Sequence, residues 1–142
     1  MKVATISLDI RWQDIEENLK RAEEFVTQAK ADSCDVVVFP EVFNTGFIAD
    51  MGKYCEAPNC RTHQALQQFS LNHLINVVAG IAEKPANKKA NNLAFVFDHY
   101  GHEVARYSKL QPFNYANEGK YFTSGNETVT FEIADTKCAV FI

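Results

Sequence analysis

Residues 36–39 read Val-Val-Val-Phe, with Asp35 before them and Pro40-Glu41 after. A continuous run of β-branched and aromatic residues, without polar alternation, is how a strand buried on both faces reads. Such a strand needs cover above and below, which limits the chain to layered architectures. Pro40 brings no backbone donor, so the ladder should stop there. Upstream, Asp14 and Glu17 form a D-x-x-E capping pattern. Ile15, Leu19, Ala22, Val26 and Ala29 then recur at spacings of three and four, with Glu16, Glu17, Lys20 and Glu24 off the stripe. That pattern predicts an amphipathic helix ending between Ala31 and Ser33. Before it, Lys2 to Leu8 predicts a first strand.

The remaining segments extend the same architecture. Asn44 to Gly52 reads as a loop. A second helix is expected over Thr62 to His73, with Leu66, Phe69 and Leu71 partly inward. Asn76 to Glu83 predicts a strand and Lys84 to Asn91 a polar turn. Asn92 to Asp98 and Glu103 to Tyr107 predict a hairpin around Tyr100-Gly101. Lys109 to Gly125 is a long irregular stretch rich in Asn, Gly and aromatics, and long loops in compact domains tend to carry function. Thr128 to Ile133 and Lys137 to Ile142 predict two last strands. The expected fold class is α/β, a mixed sheet with two helices on one face.

Composition narrows the function classes. A length of 142 residues suits one domain, and 46% apolar content is that of a globular chain. The net charge of −4, with both signs interspersed, argues against nucleic acid as a partner. No apolar run approaches the roughly 18–20 residues of a membrane span. The opening MKVATISLDI has one basic residue and turns amphipathic at once, so a leader peptide is not expected and the location is read as cytoplasmic. Cys34, Cys55, Cys60 and Cys138 form no C-x-x-C pair. Cys55, Cys60 and His63 could be part of a zinc site, but no second ligand pair is evident and unpaired thiols are the simpler reading.

Three separated segments carry candidate chemistry. Phe39-Pro40-Glu41 puts a carboxylate directly after a buried strand, where α/β proteins place site residues. Arg106-Tyr-Ser-Lys109 puts a lysine between a strand and an aromatic loop, where a fixed ammonium could stabilise an oxyanion. Glu118-Gly-Lys-Tyr121-Phe122-Thr-Ser-Gly125 puts a glutamate before paired aromatics, where it could position a neighbouring cation. Taken singly, an exposed loop acid or a solvated lysine accounts for each.

Taken in order, these segments resemble the nitrilase superfamily of carbon–nitrogen hydrolases. The resemblance runs along essentially the whole chain. It takes in Asn18-Leu19, the F-P-E segment, Asn44-Thr-Gly-Phe47, Tyr107-Ser-Lys109 and the segment Glu118…Tyr121-Phe122…Gly125. The form F-P-E-x-F-x-T-G-F is most similar to the ω-amidase-like branch. The resemblance implies an α-β-β-α sandwich, of which these residues form about half. It implies hydrolysis of a small amide substrate through a cysteine thioester, with no metal or organic cofactor. It implies that Glu41 is the general base, that Lys109 stabilises the oxyanion, and that Glu118 sets the site beside the lysine. Gln111 stands where the family commonly has histidine.

The family's nucleophilic cysteine follows a strand like Lys137–Ile142, within a C-Y-D-L-R-F-P-like segment. Cys138 does not match that position and reads as a buried core thiol. Residues 1–142 are therefore read as the N-terminal part of the domain, truncated before the nucleophile and expected to be inactive alone. A complementing C-terminal half or self-association is the expected partner. The inner face of strands Val36–Phe39, Val77–Ile81 and Leu93–Phe97 is expected to lie bare without the second sheet. The alternative reading is a non-catalytic remnant acting as a binding or interaction module.

Overall fold

The computed structural model describes residues 1–47 and 54–142. The expected loop Asn44–Gly52 is described as far as residue 47, and its remainder lies outside the described residues. Strand β1 (Val3–Thr5) leads to helix α1 (Ile15–Ala31), strand β2 (Val36–Val38) and helix α2 (Arg61–His73). Strands β3 (Asn76–Glu83), β4 (Asn91–Phe97) and β5 (Glu103–Ser108) follow. A 3-10 turn at Asn114–Ala116 and a single-turn helix α3 (Glu118–Tyr121) precede strands β6 (Thr130–Ile133) and β7 (Thr136–Ala139).

Helix α1 begins as its capping pattern requires, with Asp14 accepting the Glu17 amide at 3.1 Å. Its buried stripe is Asn18, Leu19, Ala22, Val26 and Ala29. Asn18 is fully buried because its amide is fully used. It accepts the Arg11 N–H at 2.7 Å and donates to the carbonyls of Arg11 and Asn44 at 2.6 and 2.9 Å. Helix α2 buries Thr62, Ala65, Leu66, Phe69 and Ser70. Leu71, expected to point partly inward, is 44% exposed, because the buried stripe continues through Ser70 instead.

The five main strands form one sheet in the order β1-β2-β3-β4-β5. Strands β1, β2 and β3 are parallel, joined by helical crossovers, and β3, β4 and β5 are antiparallel. Both helices pack on one face, as expected. There Leu19, Val26, Leu66 and Phe69 meet Val77, Ile81, Phe95 and Phe97. Period-two alternation sends Val36, Val78 and Val96 to the opposite face.

That opposite face is not bare. The β6–β7 hairpin lies over it, placing Phe131 and Ile133 against Val36, Val78 and Val96. Burial runs through every residue of β3 and all but the first of β4. The expectation of an uncovered inner face is therefore corrected at these positions. The last strand is also shorter than expected, ending at Ala139. Cys138, expected to be a buried thiol, is half-buried at the margin of this second cluster. Among the described residues, no helix is long and apolar enough to cross a membrane.

Candidate active site

The face away from the helices carries the candidate site at the end of β2 and β5. Glu41 is fixed by the way the chain leaves β2. The Phe39 amide donates to the Val78 carbonyl at 2.8 Å and the Phe43 amide to the Gly80 carbonyl at 3.1 Å. The chain thus runs along β3 and passes directly over Gly80. A Cβ on Gly80 would stand 2.7 Å from the Glu41 Cα, so only a residue without a side chain allows this approach. The next residue, Val42, sits at φ +43°. That left-handed conformation is rare for a β-branched residue and marks local strain beside Glu41. The amides of Thr45 and Gly46 hold the turn by donating to the Val42 carbonyl at 3.2 and 2.8 Å.

Lys109 follows β5, and its own amide donates to the Asn92 carbonyl at 2.9 Å. The Gly125 amide returns to the Lys109 carbonyl at 2.8 Å, tying the end of the loop to the lysine. The buried Tyr107 hydroxyl accepts the Leu110 amide at 3.2 Å and steadies the turn beyond. Glu118 opens α3. Its segment is held by a bridge in which the Ala90 amide donates to the Tyr121 carbonyl and the Thr123 amide to the Ala90 carbonyl.

These three elements bring Glu41, Lys109 and Glu118 into direct contact. The Lys109 Nζ lies 2.7 Å from Glu41 Oε1 and 3.1 Å from Glu118 Oε2. The Glu118 side chain is fully enclosed, that of Lys109 is 11% exposed and that of Glu41 36% exposed. Glu41 is thus the member of the trio open to an incoming molecule. Burial works against the Lys109 charge, but hydrogen bonds and attraction from Glu41 and Glu118 outweigh it and hold the ammonium above its ordinary value. Burial likewise pushes the Glu118 carboxyl up. The Phe113 amide, Asn92 and Lys109 together overcome that and hold it below the ordinary range. The site is therefore a fixed cation between two carboxylates.

The sequence reading missed a fourth member. Asn92 Nδ2 donates to Glu41 Oε1 at 2.6 Å and to Glu118 Oε1 at 2.9 Å. One amide therefore spans both carboxylates, sharing Glu41 Oε1 with the lysine and taking the Glu118 oxygen that the lysine does not. The available signal was slight: Asn92 stands at the start of β4, just ahead of the apolar run Leu93–Phe97, with the parity of Ala94 and Val96. Read as a strand start, it received no role.

A cavity of about 580 Å³ opens over Glu41 and Lys109, walled by Phe47, Gln111, Phe113 and Tyr115. This is within the roughly 300–1,000 Å³ of small-molecule sites. None of the four cysteines lines it. Cys55 packs beside Val42, Ala90 and Phe122, and Cys138 beside the β6–β7 cluster. Burial pushes the Cys55 thiol up to about 11, against a smaller opposing pull from Lys84. Cys60 and His63, weighed above as zinc ligands, have other partners. The Cys60 sulfur accepts the His63 amide at 3.4 Å to cap α2, and the His63 ring lies 2.8 Å from Glu103.

Comparison with known proteins gives the family and the fold. The carbon-nitrogen hydrolase family matches residues 2–142, and the chain belongs to that family. It is 26% identical over 141 residues to the 2-oxoglutaramate amidase of Bacillus subtilis (strain 168), covering 99% of this chain and 54% of that protein. It is also 26% identical over 144 residues to the glutamine-dependent NAD(+) synthetase of Acinetobacter baylyi, covering 99% of this chain and 26% of that one. The fold matches a crystal structure of an amidase from Nesterenkonia sp. with a TM-score of 0.90 at 17% identity, over 99% of this chain and 54% of that chain. The chain thus spans about half the length of that amidase and of the Bacillus protein.

Proposed function

We propose that these residues supply the base and the oxyanion-binding cation of a small-amide hydrolase of ω-amidase type. The Lys109 ammonium between Glu41 and Glu118, beneath an open cavity, carries this reading. In the reaction a cysteine thiol attacks the amide carbon and Glu41 takes the thiol proton. The tetrahedral oxyanion forms against Lys109 and collapses to a thioester as ammonia leaves, protonated from Glu41. Glu41 then takes a proton from water, whose oxygen attacks the thioester and releases the acid and the thiol. Glu118 and Asn92 position the lysine and the base. The likeness to the Bacillus 2-oxoglutaramate amidase supports an ω-amide of a dicarboxylic acid as substrate. A cytoplasmic location belongs to the same reading, in keeping with four free cysteines.

The cavity receives no thiol from residues 1–142, so the proposal assigns the nucleophile to a segment or chain outside them. A complementing C-terminal half or a second copy is the proposed partner. Ammonia release from 2-oxoglutaramate tests all parts together. Residues 1–142 alone should match a buffer control. Adding a carbon–nitrogen hydrolase C-terminal half that bears the cysteine should restore release. Glu41→Gln and Lys109→Ala in that complex should each lower turnover by about two or more orders of magnitude. Ammonia release by purified residues 1–142, or near-normal turnover in either variant complex, would overturn the assignment.

A further inference from the structure

A second cavity, of about 240 Å³, lies outside the site already described and has a different character. Its walls are Lys84, Lys88, Lys89, Ala90, Lys120 and Tyr121. Four lysines thus line one small space in a chain whose net charge is −4. They come from two segments far apart in sequence, the turn after β3 and helix α3, brought together by the Ala90–Phe122 bridge. Among the described residues, no carboxylate lies within ion-pair distance of any of the four. Lys89 is held in place by donating to the Gly119 carbonyl at 2.8 Å, and the Lys120 ammonium stands 5.2 Å over the Tyr121 ring. A lysine-rich turn that is merely solvated would splay its like charges apart. Here the Ala90–Phe122 bridge sets two lysine-bearing segments beside one hollow.

We infer that this cavity is a binding site for a compact phosphate-type polyanion. Its volume is below the roughly 300–1,000 Å³ of pockets for drug-sized ligands, which suits a small head group. The cations are all lysines. They are compact point charges on flexible stems, which follow tetrahedral phosphate oxygens. Lysine holds phosphate as such a point charge, while the arginine fork, which matches carboxylate and phosphate alike, is absent from the lining. The Tyr121 ring on one wall is a place for a base to rest if the phosphates belong to a nucleotide. The bound anion would touch Lys120, two residues beyond Glu118, and Ala90, two residues before Asn92. The site therefore adjoins in sequence the segments that carry the candidate active site.

Backbone amide shifts of the 142-residue chain, followed by NMR at fixed ionic strength, provide the test. Tripolyphosphate should give saturable shifts confined to residues 84–90 and 119–123. A nucleoside triphosphate and citrate are the comparison arms. Tighter binding of the nucleotide would place the phosphates at the end of a nucleotide, and equal binding would make them a free polyphosphate. Lys88→Ala with Lys120→Ala should weaken the affinity about tenfold or more, since charge-assisted contacts to an anion are lost. Both lysines are exposed and hold no core, so folding is not at stake. Lys20→Ala with Lys137→Ala, which removes the same charge elsewhere, should leave the affinity within about twofold. Shifts that do not saturate, an equal loss in both double variants, or citrate binding more tightly than tripolyphosphate would each overturn the proposal.

Discussion

At the scale of single residues, Asn92 decides how two carboxylates share one lysine. Without its bridging amide, Glu41 and Glu118 would face each other through Lys109 alone. Asn92→Ala in residues 1–142 should lower stability by about 1.5–3 kcal/mol, the usual worth of a hydrogen bond to a charged group. Asn92→Asp should cost more at neutral pH, because a third carboxylate then crowds a single cation. Its deficit should shrink between pH 7 and pH 4 as protonation relieves the repulsion. Urea midpoints of the two variants at both pH values are the measurement. An aspartate variant whose deficit does not change with pH would show that Asn92 acts by packing alone. The three residues singled out in the sequence were legible because each follows a recognisable boundary. Glu41 follows Pro40, Lys109 follows a strand and Glu118 precedes paired aromatics. Asn92 was not legible because its role depends on which face of β4 it occupies, and only the packed helices define that face.

At the scale of elements, two glycines set how closely loops approach the sheet. Gly80 lies under Glu41, and a Cβ on Gly125 would fall 2.2 Å from the Ser108 carbonyl oxygen. Both obstacles are backbone, which cannot rotate away. Gly119 differs, since its added Cβ would meet only the Asn114 side chain at 3.3 Å. Gly80→Ala and Gly125→Ala should each destabilise by about 1–3 kcal/mol, as overpacking does. Gly119→Ala should change stability by less than about 1 kcal/mol. Thermal unfolding of the three variants checks the order, and a Gly119 variant as damaged as the other two would contradict it. The helices and the long strands were readable in sequence because periodicity and capping fix them locally. The segment 109–125 was read only as irregular. Its helix α3 and the stretch up to Gly125 are held by long-range bonds to Ala90, Asn92 and Lys109, which no local pattern announces.

At the scale of the whole molecule, buried carboxyls pull stability in opposite directions as pH falls. Glu118 is held below its ordinary value, so it stabilises the fold above the unfolded value of about 4.3 and loses that contribution as pH falls through its folded value. Lys109, held above its ordinary value, contributes below about 10.4 and loses that contribution as pH rises through its folded value. Glu83 is the reverse of Glu118. It is 2% exposed and its carboxyl is pushed up, by burial first, against the opposing charges of Arg106 and His63. Glu83 therefore costs stability at neutral pH, and the cost disappears on acidification. Glu118→Gln should be less stable than the parent at pH 7 and lose less between about pH 5 and pH 3. Glu83→Gln should be more stable at pH 7 and lose more over the same interval. Urea titrations across that range decide the matter, and parallel curves for the three proteins would refute this account.

Glu83 keeps company with Arg106, Glu103 and His63 on the helix side of the sheet. That grouping depends on the register shift between β4 and β5, where Val96 pairs with Ala105 but Phe97 pairs with Glu103. Val104 is the residue left over. By simple alternation Glu103 would share a face with Ala105, Tyr107 and Lys109. The surplus residue turns it over to join Arg106 beneath α2. The irregularity lies at the far end of the hairpin from Lys109, whose own pairing with Asn92 is regular. The hairpin thus behaves like a rope with its slack kept at one end. The surplus residue is confined to the end near the Tyr100-Gly101 turn, and the knot that Lys109 makes with two carboxylates is tied where the pairing is regular.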